Sequence, residues 1–212
     1  MAVLLRLEQN GSYVLFSVPH TPSSFGPPGG VFKVTPGAHG GLDRSGFQAE
    51  RLASRGSVMD RDLRGAVPSR RAARFLQWFE SGRGRESASE CLRRELGEEL
   101  KEIGHPGLVP LAAGVAFEPV RTVLEPPRRR PGRDDWQLRR FEVHDFVITD
   151  QDSARLRDEL FRLADDPHES NVIRVCADDI RAGRLEQCLV GPQSAFLIGE
   201  RRLREDLPAL TH

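Results

Sequence analysis

The 212-residue chain is poor in cysteine, in tyrosine and tryptophan, in unbroken apolar runs and in net charge. Its three cysteines, Cys91, Cys176 and Cys188, are odd in number and lack C-x-x-C spacing, which argues against both a disulfide framework and a zinc site. Lysine plus arginine and aspartate plus glutamate number 31 each, so no overall field draws the chain to nucleic acid or membrane. Affinity for phosphate therefore has to come from local patches. The opening MAVLLRLEQNGSYVLFSV is interrupted by Arg6, Glu8 and Asn10, and lacks the apolar stretch of a signal peptide or membrane span. These absences point to a soluble protein of the reducing cytoplasm, with neither zinc nor a membrane partner. At 38% hydrophobic residues the length suffices for one substantial core, and a single domain over residues 1–212 is expected.

What is present is mixed α/β patterning. Asn10-Gly11 between apolar runs predicts a hairpin of two strands. Proline and glycine crowd residues 19–30 and predict a shaped loop without regular structure up to Val31. Residues 36–69, with scattered Leu42, Phe47, Leu52, Val58, Leu63 and Val67, read as a partly ordered insertion. Phe75, Leu76, Trp78 and Phe79 lie on a helix expected from about Ser69 to Gly82. Alternation predicts strands in LVPLAAGVAFEPVRTVLE and RRFEVHDFVI, joined by a long mobile loop, EPPRRRPGRDDWQ. Leu156, Leu160 and Leu163 space a helix over 152–164 with Asp152 as N-cap; NVIRVCADDIRAG reads as strand then helix to Gly183; a last amphipathic segment runs from Ala195 to Leu207.

The densest chemistry is ESASECLRRELGEEL, residues 86–100. Ser87 with Glu90 three residues later forms a capping box, and Gly104 before Pro106 is a stop, so a helix over 87–103 is well bounded. At about 100° per residue, Leu92, Leu96, Leu100 and Ile103 make one stripe and Glu95, Glu98, Glu99 and Glu102 another. Like charges at these spacings repel, the more so when desolvated. Arg94 can neutralise or orient one carboxylate, whereas divalent cations would neutralise several and take oxygen ligands of this kind. The plainer alternative is a solvated acidic face.

Glu86, seven residues, Arg94-Glu95-Leu96, one residue, Glu98-Glu99 resembles the Nudix box, G-x5-E-x7-R-E-U-x-E-E-x-G-U with U aliphatic. The resemblance implies a Nudix-type α/β/α sandwich with a mixed sheet, and hydrolysis of a diphosphate linkage in a nucleotide derivative with Mg2+ or Mn2+. It implies Glu86, Glu95, Glu98 and Glu99 as the metal shell, Glu98 or Glu99 as general base, and Arg94 as the group that orients the carboxylates. The resemblance has two departures. Glu80 stands where the box glycine belongs, and Lys101-Glu102 replace the terminal glycine and aliphatic residue. Since GPPGG at 26–30 looks like the Pro-Gly-Gly that usually leads into the box, Gly30 is read as the displaced box glycine, parted from Glu86 by an insertion at about 33–80.

That split layout, GPPGGVFK followed by DRDLRGAVP and FLQWFESGRGRES, resembles the SMODS-associated Nudix group, bacterial domains encoded near nucleotide second-messenger synthases. Membership implies processing or sensing of a nucleotide, either a diphosphate derivative or a second messenger, in antiphage defence, and relatives are commonly homodimers. A catalytically weak or inactive nucleotide-binding module is the alternative. Gly29, Gly30 and Lys33 are substrate-side candidates, as are Arg129, able to close over phosphates with its loop neighbours, and Trp136, able to stack on a base. For the last two a solvated loop with a packed tryptophan is the plainer reading. Glu118, Glu142, His144 and Asp145 are candidate bases from outside the box, each with a structural role as the plainer reading. Cys91 reads as packing.

Overall fold

A computed structural model describes residues 1–19, 21–36, 38–50, 61–129 and 134–205. In chain order the elements are β1 (Ala2–Arg6), β2 (Glu8–Gln9), β3 (Ser12–Ser17), β4 (Ser24–Gly26), β5 (Gly29–Val31), α1 (His39–Ser45), β6 (Gln48–Ala49), β7 (Gly65–Ala66), α2 (Ala72–Glu80) and α3 (Ala88–Glu102). They continue through α4 (Val109–Ala112), β8 (Ala116–Leu124), β9 (Arg128–Arg129), β10 (Trp136–Gln137), β11 (Arg140–Val147), α5 (Gln151–Ala164), β12 (Val172–Cys176), α6 (Ala177–Ala182), β13 (Arg184–Leu185), β14 (Cys188–Val190) and α7 (Ala195–Ile198).

Strand alternation sets the layers. In β1, Val3 and Leu5 enter one core with Leu92, Leu96 and Leu100 of α3, whereas Leu4 enters another with Phe141, Val143, Phe196 and Leu197. The four-stranded sheet β5-β1-β11-β8 lies between these cores and is mixed: β1 runs parallel to β11, and the pairs β1/β5 and β11/β8 are antiparallel. The register shifts between Val143 and His144, where Val120 of β8 is the extra residue beside Pro119, which has no N–H to give the ladder. The second sheet runs β12-β3-β4-β14-β13, with β2 beside β3. Helix α5 contributes Leu156, Leu160 and Leu163 to the core shared with α3. The architecture is the expected α/β sandwich with mixed sheets.

The Asn10-Gly11 turn forms with φ of 52° and 77°, as a type I′ turn requires, but it joins β2 to β3. The arm before it divides near Leu7, and β1 passes into the other sheet. Two strands, β4 and β5, occupy the proline-glycine stretch expected to be irregular. Their partners, Phe16 and Ser17 for β4 and Ala2, Val3 and Leu4 for β5, supply hydrogen bonds that local sequence does not reveal. In residues 36–69, α1 and the β6/β7 pair are ordered, while Leu52 and Val58 lie outside the described residues. The first half of the expected strand at 108–125 is a 3-10 turn (Pro106–Leu108) and α4, each with proline in its first turn. The N-cap of α5 is Asp150, not Asp152, in a reciprocal capping box with Ser153. The last helix ends at Ile198, well short of Leu207, which lies outside the described residues. No described helix is long and apolar enough to cross a membrane.

Candidate active site

Helix α3 is placed by both ends and by its buried stripe. Ser87 accepts from the Glu90 amide and Glu90 accepts from the Ser87 amide, closing the capping box. Gly104, at φ 91°, makes the left-handed exit. Leu92, Leu96 and Leu100 are at most 1% exposed, and each contributes about 1.5–3 kcal/mol by leaving water. With that stripe inside, the glutamate stripe is turned toward β5.

Contacts from α3, and from Glu86 just before it, reach the segment from Gly29 to Lys33. The Gly29 amide donates to Glu99, 3.1 Å to Oε2 and 3.3 Å to Oε1. The Glu95 carboxylate sits against Gly30, where a Cβ would stand 2.1 Å from its Cδ. The Lys33 amide donates to Glu86 Oε2 at 2.9 Å, and the Glu86 amide donates to the Lys33 carbonyl at 2.9 Å. The Arg94 Nη2 donates to the Val31 carbonyl at 3.0 Å. Residues 29–33 and Glu86, far apart in the chain, are thus brought together beside α3.

Arg94 is its hub. The guanidinium grips both oxygens of Glu86, at 2.8 and 2.9 Å, and reaches Glu95 at 2.7 Å and Glu98 at 3.3 Å. Lys33 Nζ lies 3.7 Å from Glu98 on the outer side. Burial alone would raise the Glu86 pKa, but the bonds from Arg94 and the Lys33 amide bring it below the usual carboxylate value. For Arg94 the balance also favours charge: burial opposes it, and Glu86 and Glu95 hold its pKa above that of free arginine. Burial raises Glu95 despite Arg94. Glu99 lies well above the ordinary value, first through burial and then through Glu95, against which the Gly29 amide is a small counterweight. No cation of the protein reaches Glu99 among the described residues.

Among the described residues no three His, Cys, Asp or Glu side chains are arranged to hold an ion. The donor set nevertheless fits a hard divalent cation in its chemistry. Glu95, Glu98 and Glu99 supply oxygens on one helix face, and the destabilised negative charge at Glu99 is of the kind such an ion offsets.

Arg85 was not legible as part of the site. Its guanidinium lies 4.0 Å from the Phe79 ring centroid and 4.7 Å from that of Phe32, donates to the Phe79 and Glu86 carbonyls at 2.7 Å each, and comes within 3.8 Å of Glu142. It therefore fixes the turn that delivers Glu86. The only signal was an arginine directly before the first box glutamate. Glu142 contacts Arg140 closely, and its Oε2 is 3.7 Å from His144 Nε2. Burial would raise its pKa, yet His144, Arg140 and Arg85 bring it down to about 2. Asp145 is paired with Arg6 at 2.5 and 2.7 Å, and Glu118 is exposed. Cys91 is fully buried, and burial pushes its thiol pKa upward, in keeping with a packing role.

Arg129 and Trp136 face one another across the β9/β10 pair. Arg129 bonds Asp134 at 2.5 Å, and Trp136 is 68% exposed rather than packed. Neither bonds a box carboxylate among the described residues.

Such a mixed-sheet sandwich, with a glutamate-bearing helix docked on a glycine strand, has Nudix-type architecture. The family model of the SMODS-associated NUDIX domain matches residues 1–198, and the chain belongs to that family. Neither the search of curated proteins nor that of solved structures gave a match.

Proposed function

We propose that this chain is a metal-dependent pyrophosphohydrolase, cleaving a diphosphate linkage in a nucleotide derivative. The observation that carries the reading is the convergence of Glu95 and Glu99 on Gly29-Gly30 while Arg94 holds Glu86, Glu95 and Glu98. Glu95, Glu98 and Glu99 would hold Mg2+ or Mn2+, with Glu86 supporting that shell. Bound there, the ion would screen the pyrophosphate charge that repels an attacking hydroxide and lower the pKa of a bound water. Arg94 orients three carboxylates at once. Gly29 and Gly30 lack side chains, and the space a Cβ would fill holds the Val3 carbonyl and the Glu95 carboxylate, so these glycines serve the substrate side by seating Glu95 and Glu99 on β5. Lys33 offers an ammonium beside Glu98 for a phosphate oxygen. Glu98 or Glu99 serves as general base, and burial raises the pKa of Glu99, which strengthens it as a proton acceptor. Arg129 and Trp136 are proposed to meet the far end of the substrate.

The setting proposed is the bacterial cytoplasm, in antiphage nucleotide signalling, with the chain acting as a homodimer. The test is a screen of nucleoside diphosphate derivatives, dinucleoside polyphosphates, nucleotide sugars and cyclic oligonucleotides with Mg2+ or Mn2+, run beside Glu98→Gln and Glu99→Gln. Turnover unchanged in both variants would sink the catalytic assignment. A second reading, a nucleotide sensor without turnover, draws support from Arg94 already engaging Glu86, Glu95 and Glu98. Calorimetric binding without product formation would select it.

A further inference from the structure

Helices α1 and α2 enclose a groove of about 450 Å³ apart from the box carboxylates, lined by Arg44 of α1, Arg74, Gln77 and Trp78 of α2, and Ser81 and Arg83 of the turn that follows. Its closeness depends on Gly41: a Cβ there would stand 2.1 Å from the Trp78 ring, so only glycine lets α1 rest on the indole. Gln77 and Trp78 lie three and four residues after Arg74, and Ser81 four and three residues after them, so all four fall along one side of α2 and its C-cap. Several arginines of this protein are neutralised by a neighbouring carboxylate, among them Arg6, Arg94, Arg157, Arg162 and Arg174. Arg44, Arg74 and Arg83, in contrast, have no carboxylate partner among the described residues, and no carboxylate lines the groove. The charge is uneven in sequence too: residues 36–85 hold ten arginines and five acidic residues, in a chain of zero formal net charge.

We propose that this groove is a second binding site, which takes the phosphate chain of a nucleotide. Three arginines lining one cleft match several phosphate oxygens better than a single anion. The Trp78 ring and the Gln77 amide beside them offer a flat apolar edge and a hydrogen-bonding group to the attached nucleoside. The site stands on residues outside the box and does not require the box to be catalytic. It adjoins the box in the chain, since Arg83 lies three residues before Glu86 and the intervening Gly84 carbonyl accepts from the Thr35 amide at 2.9 Å.

The full chain carrying Trp136→Phe leaves Trp78 as the single tryptophan, a reporter inside the groove. Titration with inorganic triphosphate, adenosine triphosphate and adenosine, all in excess EDTA, is followed by Trp78 fluorescence and calorimetry. Saturable binding is expected in the order adenosine triphosphate, then triphosphate, with adenosine far weaker. Arg74→Gln and Arg83→Gln should each weaken binding by about tenfold or more, with unchanged Tm, and Glu99→Gln should leave it intact. The proposal is overturned by absence of saturable binding, by equal affinity in the arginine variants, by adenosine binding as tightly as the triphosphate, or by loss of binding in Glu99→Gln alone. Hydrolysis measured with Mg2+ on the same Arg74→Gln and Arg83→Gln proteins separates this site from the proposed active site, because failure of either leaves the other measurable.

Discussion

The Glu95 carboxylate occupies the space that any side chain at Gly30 would need, since a Cβ on Gly30 falls 2.1 Å from Glu95 Cδ and 2.2 Å from Oε1. Gly30→Ala therefore has to displace Glu95 from Arg94 and from β5. Overpacking of this kind costs about 1–3 kcal/mol. Turnover should fall by at least about tenfold, in keeping with the sensitivity of catalysis to small misplacements, while circular dichroism keeps the wild-type spectrum. Activity equal to wild type would show that Glu95 is not needed where the structure puts it.

Glu86 and Glu99 should give opposite pH signatures in thermal unfolding without metal. The folded-state pKa of Glu86 is depressed, so its ionised form stabilises the fold above the unfolded carboxylate pKa, and that contribution disappears as pH falls through the folded value. Glu99 is raised, so folding favours its protonated form; the fold is burdened once pH rises above the unfolded value, and fully so beyond the folded one. Glu99→Gln should raise Tm at pH 8 more than at pH 5, and Glu86→Gln should lower it at pH 8. Scans at the two pH values decide; shifts of the same sign for both variants at pH 8 would contradict the geometry.

Mg2+ or Mn2+ should stabilise wild type in proportion to its binding, by RT ln(1 + [L]/Kd). The rise in Tm should be larger at pH 8 than at pH 5, because burial raises the Glu99 pKa and acid favours the protonated form, which competes with the ion. It should shrink strongly in Glu98→Gln and Glu99→Gln. Differential scanning fluorimetry against metal concentration measures this without any substrate.

Arg85→Ala removes two backbone hydrogen bonds and the contacts with Phe32 and Phe79, and leaves Glu142 one cation short. A loss of about 2–4 kcal/mol is expected from the hydrogen-bond and cation–π contributions, read as a lower urea midpoint. Arg85→Lys should recover only part of it, because an ammonium cannot both stack between rings and donate in two directions.

Arg202 and Glu125 form a second test of buried charge. Their bonds are 2.5 and 2.9 Å long and the side chains only 4% and 8% exposed. Arg202→Met strands the carboxylate and should cost about 3–5 kcal/mol, whereas the double change with Glu125→Leu should restore most of that. Urea unfolding of the three variants gives the comparison.

Helix α3 was readable because everything that bounds it is local: Ser87, Glu90 and Gly104 fix the ends, and the leucine stripe fixes the face. Its docking on Gly29-Gly30 was readable only through the motif, since no local rule joins residues so far apart in the chain. Strands β4 and β5 escaped notice because proline and glycine weaken strand propensity, and their stability comes from partners elsewhere, Val3 for Gly30 and Phe16 for Gly26. The strand expected near Leu108 failed for the opposite reason. Pro106 and Pro110 sit in first-turn helix positions, where a missing N–H costs nothing. Asp152 was expected as the cap of α5, and Asp150 takes that place because its carboxylate accepts from the Ser153 amide while the Ser153 hydroxyl accepts from the Asp150 amide. Arg85 escaped because its partners, Phe32, Phe79 and Glu142, come from three separate segments.

The chain leaves and rejoins the site through neighbouring residues: Lys33 meets Glu86, Val34 bridges Arg85, and Thr35 bonds Gly84. An excursion closed by such a clasp can be long at small entropic expense. Lengthening a loop from about five to about fifty residues adds only about 2 kcal/mol of closure entropy. Phe75 and Phe79 return from that excursion into the central core, at 5% and 0% exposure, and two such burials contribute about 3–6 kcal/mol. The segment between the two halves of the box is thus held like a keystone: removing it would leave the clasp closed over a gap in the core.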